Sequence, residues 1–129
     1  MPTALTAAEA RKAIRWFKRR MGLQDWRIEV ELSDSVPEWC AETHNSSYVG
    51  HASVRVAFKH ANVWVTPNGC ATIEPGLEPA EPLEVLFHEL IHLQCRDVGL
   101  ADDSTPHVEY MLDRVAAVLA WAYRRGMKA

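Results

Sequence analysis

The chain has 129 residues, 48% of them hydrophobic and 24% charged, a balance that excludes wholesale disorder and fits one globular domain over residues 1–129. Fourteen Lys and Arg against 17 Asp and Glu leave a net charge of −3, which provides no electrostatic footprint for nucleic acid. No apolar run reaches the roughly 18–20 residues that span a bilayer, and the N-terminus shows no apolar signal region, so neither membrane nor secretion is expected.

Thr6 and Glu9 form a capping-box pair that opens a helix of about 15 residues, with Gly22 as its stop. Ala10, Ala13, Ile14, Phe17 and Met21 recur at three- and four-residue intervals among arginines and lysines, which predicts an amphipathic helix with a solvated basic face. Residues 26–32 alternate apolar and charged side chains and read as a half-buried strand. Residues 33–47 are polar, contain Pro37 and read as a loop. Two further strands are expected at 52–58 and 62–66, with a turn at Asn68-Gly69 and a proline-rich loop up to Pro82. A helix follows over 82–98, ended by Gly99, and a last one runs from just after Thr105 to about Arg125, before Gly126. The fold class is therefore α+β, with helices packed on a small sheet of about three strands. Cys40, Cys70 and Cys95 are scattered and odd in number, which reads as reduced thiols in a cytoplasmic protein.

The chemistry concentrates in His88-Glu89-Leu90-Ile91-His92. Residues four apart on a helix share a face, so both imidazoles can reach one cation, with Glu89 set beside it to take a proton from a metal-bound water. Apolar residues surround the motif on almost every side, and buried imidazoles and carboxylates are costly unless paired or bound to metal. A catalytic zinc ion wants a third protein ligand and leaves a position for water. On the last helix Val108, Met111, Leu112, Val115, Leu119 and Ala122 form an apolar face expected to meet the core. Glu109, Asp113, Ala116 and Ala120 form a neighbouring stripe. A short connection favours an antiparallel helix pair, in which Glu109 reaching the metal brings Asp113 towards His88. His107, Asp97, Asp102 and Asp103 are the alternative third ligands, a solvated flank is the plain alternative for Glu109 and Asp113, and Cys95 reads as a small core residue.

This pattern resembles the gluzincin branch of zincin metallopeptidases. The compact minigluzincins are closest in size, and the strand groups before the motif also look like small zincin-type proteins of phage genomes. Val108 departs from the large members, which carry asparagine immediately before the glutamate. The resemblance implies a zincin-like core with one Zn2+ held by His88, His92 and Glu109, Glu89 as general base and Asp113 in support. It also implies hydrolysis of a peptide or protein substrate lying along an edge strand, for which residues 62–66 are the choice. Tyr48, His51, His60 and Tyr110 are open candidates for stabilising the oxyanion. The rival reading is a binding or regulatory module that keeps the metal site without significant proteolysis; retention of Glu89 favours the enzyme.

Overall fold

The computed structural model describes residues 4–41, 49–68, 81–99 and 106–128. Their order is α1 (Ala7–Met21), β1 (Arg27–Leu32), α2 (Glu38–Ala41), β2 (Gly50–Arg55), a 3-10 turn (Val56–Phe58), β3 (His60–Val65), α3 (Pro82–Asp97) and α4 (Pro106–Lys128). The α+β class is as expected. The strands form a mixed sheet in the order β1-β3-β2, with β1 parallel and β2 antiparallel to β3.

Local signals account for the first element. Thr6 Oγ1 accepts the Glu9 N–H at 3.1 Å, satisfying one of the donors a helix start leaves open. Gly22 ends the helix at φ 70°, and its own N–H returns to the Lys18 carbonyl, a conformation costly for any residue with a Cβ. Ala10, Ala13, Ile14 and Phe17 are buried, whereas Met21 is exposed. Trp26 is buried in the core, and its indole N–H donates to Asp97 at 3.2 Å, tying the entry of β1 to the end of α3.

The alternation in β1 turns Ile28, Val30 and Leu32 towards one side, where they join Ala61, Val63 and Val65 of β3 and the apolar face of α3 in one core. On the opposite face Trp64 is fully buried. The register places it between Glu31 and His51, and Trp39 of α2 touches both, its indole N–H donating to Glu31 and its ring lying against His51. The short helix α2 thus lies across Trp64.

Four expectations need correction. Residues 33–47 are not loop throughout, because Glu38–Ala41 makes one helical turn after Pro37. The strand expected at 52–58 stops at Arg55: Arg55 pairs with His60, so residues 56–59 must reverse the chain, with Lys59 at φ 49°. Of residues 62–66, all but Thr66 belong to β3, which is central and hydrogen-bonded on both sides, and so cannot serve as an edge for a substrate. Finally, Gly126 does not stop α4, which continues to Lys128 because this glycine keeps ordinary helical backbone instead of a left-handed one. The Asn68-Gly69 turn and the proline-rich loop fall largely outside the described residues.

Candidate metal centre

Glu81 caps α3 by accepting the Leu83 N–H at 3.3 Å, and Pro82 occupies its first position, where a missing N–H costs nothing. Leu83, Leu86, Phe87, Leu90 and Leu93 are buried on its core side. The helix is therefore fixed in rotation, and its remaining faces are aimed in two directions. His88 and His92 point towards α4. Glu89, itself buried, turns towards the first residue of β2.

That strand passes unusually close. A Cβ placed on Gly50 would stand 2.6 Å from Val85 Cγ1, 3.0 Å from the Trp64 carbonyl oxygen and 3.4 Å from Glu89 Cγ. Only glycine allows β2 to lie against the turn of α3 that carries Glu89. Among the described residues no strand pairs with the outer side of β2, so the strand beside Glu89 is an edge of the three-stranded sheet.

Helix α4 supplies the other wall. His88 Nε2 and His92 Nε2 are 3.2 Å apart. The Glu109 carboxylate reaches both, with Oε2 at 2.9 Å from His88 Nε2 and Oε1 at 3.3 Å from His92 Nε2. On the far side of the first ring, His88 Nδ1–H donates to Asp113 Oδ1 at 2.7 Å. A carboxylate can only accept, so this bond fixes the tautomer and leaves the His88 Nε2 lone pair facing His92 and Glu109 in the neutral ring.

Two imidazole nitrogens and a carboxylate thus converge on one point, each offering one donor atom within 4.8 Å of the others. Unshielded lone pairs and a carboxylate repel at such separations, and a proton or a cation between them removes the repulsion. Donors arranged tetrahedrally about a zinc ion at about 2.0–2.1 Å stand about 3.3 Å from each other, and the two imidazole nitrogens here are 3.2 Å apart. The donor set therefore fits zinc.

The other residues singled out in the sequence lie elsewhere. His107 is exposed. Asp97 is engaged by Trp26, and Asp102 and Asp103 lie outside the described residues. Cys95 is partly buried and packs against the core. Tyr48 is likewise outside the described residues. His60 Nε2 is 3.2 Å from Glu29, a hydrogen bond that holds the Glu29 carboxyl below its ordinary value. Tyr110 is exposed and its hydroxyl accepts from Arg114 at 3.1 Å, while His51 lies against Trp39.

Two contributors were not foreseen. Gly50 is one, and its signal was an isolated glycine at the start of a strand pattern, a mark of close backbone approach. Cys40 is the other. It is fully buried in α2, and burial pushes its thiol up to about 12, with the nearby Glu31 and Glu89 carboxylates adding to the effect. A turn of helix after Pro37 was its only local signal.

Compared with known protein families, with curated proteins and with solved structures, the chain matches none of them.

Proposed function

We propose that this chain is a zinc-dependent peptidase with a zincin-like core, in which His88, His92 and Glu109 hold the ion and Glu89 is the general base. The observation that carries the reading is the convergence of two imidazole nitrogens, 3.2 Å apart, with the Glu109 carboxylate, whose two oxygens lie 2.9 and 3.3 Å from them, while the spare ring N–H of His88 is already committed to Asp113. Zinc, when bound, supplies a Lewis acid that polarises the scissile carbonyl and makes a water molecule more acidic.

The protein's own groups do the rest. Asp113 holds the His88 ring in the tautomer that presents Nε2 and keeps it from rotating. Glu89, one residue along the helix and on the strand side, accepts a proton from the attacking water and returns it to the leaving nitrogen. β2 offers its backbone donors and acceptors to an extended peptide, which would run beside Glu89 and bind as an added strand. A peptide or protein is therefore the substrate class. Among the described residues no helix is long and apolar enough to cross a membrane.

Metal content and hydrolysis of a fluorescently quenched casein substrate test the reading together. Wild-type protein should hold about one zinc ion per chain, and Glu89→Gln should keep the zinc while losing ~10²-fold or more of the hydrolysis. Equal turnover in that variant would remove Glu89 from its role. Zinc without hydrolysis in the wild type would favour a metal-containing binding module instead, and protein free of zinc would overturn the metal centre.

A further inference from the structure

The outward side of α4 carries a pattern that the metal centre does not use. Val108, Met111, Val115, Val118 and Ala122 follow each other at alternating spacings of three and four; Val108 packs partly against the core, and the exposed stretch runs from Met111 to Val118. Strict alternation of this kind makes a narrow seam suited to a second helix, narrower than the stripe a helix buries in its own core. The core side of α4 is already occupied by Leu112, Ala116, Ala120 and Tyr123. Of the seam, Met111 is 56%, Val115 43% and Val118 63% exposed.

The border of the seam is cationic and held in place. Arg114 lies over the Tyr110 ring at 5.8 Å and Arg125 over the Trp121 ring at 4.9 Å, and both aromatic rings are exposed beyond the seam. Each guanidinium is thus set along the edge of the seam by its own aromatic partner. Helix α1 packs on the core side of α4, where Trp16 meets Tyr123 edge-on at 5.5 Å. Together α1 and α4 carry ten of the chain's 14 Lys and Arg but only three of its 17 Asp and Glu, an excess of seven positive charges in a chain whose net charge is −3. Two of those three acids, Glu109 and Asp113, are engaged with the histidines.

We propose that this seam docks an acidic amphipathic helix of a partner protein. The spacing selects a helix, and the arginine border selects carboxylates, which guanidinium groups bind in paired fashion. A second copy seated on the same seam would bring two faces of like charge together. A bilayer takes up a broad apolar face, whereas here arginines interrupt the apolar surface between the seam and the exposed aromatics.

The test uses the full chain and two labelled three-heptad peptides with leucine at the seam positions, one flanked by glutamate and the other by lysine. Fluorescence anisotropy should show binding of the acidic peptide alone. Val118→Asp, and the milder Val118→Ser, should weaken it by about tenfold or more, as loss of a central anchor does. Arg114→Glu with Arg125→Glu should transfer the preference to the lysine peptide. These positions are exposed, so circular dichroism should report unchanged folding. Equal binding of both peptides, or binding indifferent to Val118, would overturn the proposal. So would co-flotation with phosphatidylserine vesicles, or self-association in the ultracentrifuge that Val118→Asp abolishes, in the absence of peptide binding.

Discussion

Glu109 and Asp113 stand one turn apart on the same helix and do unequal jobs, which can be separated by measurement. Glu109 reaches both imidazole nitrogens, while Asp113 touches only the far side of His88. Glu109→Ala should therefore leave a two-histidine site with the weakest zinc binding. Asp113→Ala should keep all three donors and lose about 10–100-fold in zinc affinity or activity. Competition with a chromogenic chelator ranks the two, and a reversed order would make Asp113 the ligand. The approach of this pair to the histidines was legible in the sequence because helical spacing and a short connection fix which turns face each other. Cys40 was not legible in the same way. Its burial beside Glu31 and Glu89 depends on where α2 crosses the sheet, a contact with no local signature. With its thiol held up to about 12, Cys40 should resist iodoacetamide at pH 8 in the native protein and react readily once unfolded. Equal rates in the two states, read by mass spectrometry, would show an accessible thiolate.

At the scale of elements, α4 shows how a sequence pattern can place a buried face only in part. Of the apolar face expected to meet the core, Leu112 is buried and Val108 and Leu119 pack against it, whereas Met111 and Val115 are exposed and Ala116 and Ala120 are buried instead. Glu109 and Asp113 come within hydrogen-bonding reach of α3, and the small side chains that continue their stripe, Ala116 and Ala120, let the two helices approach closely. The same close approach governs β2, and it yields a stability prediction. Gly50→Ala places a methyl 2.6 Å from Val85 Cγ1 and 3.0 Å from the Trp64 carbonyl, so it should cost about 1–3 kcal/mol and lower the thermal midpoint. Adding Val85→Ala relieves the side-chain clash but not the carbonyl one, and should restore only part of the loss. A midpoint unchanged by Gly50→Ala would mean that β2 moves away freely.

The whole molecule is where sequence reading was weakest for the fold. Alternation identified β1 and much of β3, but not that β3 lies in the middle. Strand order is set by pairings such as Arg27 with His60, far apart in the chain, which no local pattern encodes. The helices α1 and α3, by contrast, carried their own start and stop signals.

Helix α4 is held to the molecule chiefly by α3, and two of its four buried side chains are alanines, which contribute little apolar area. Its polar ties therefore matter to its attachment: the cluster of Glu109 and Asp113 with the histidines near its beginning, and the Arg124–Glu81 ion pair towards its end. A metal ion shared by His88, His92 and Glu109 would act as a clasp between two helices. Any opening of α4 would have to release the ion, at a cost of about 2.7 kcal/mol when free zinc is a hundred times its dissociation constant. Hydrogen–deuterium exchange should then show α4 amides quickening sharply when a chelator is added, while the amides of β3 keep their rates. Uniform quickening throughout the chain would mean that α4 does not open by itself. In the expected case, zinc availability would decide whether the last helix is a fixed wall of the cleft or a door.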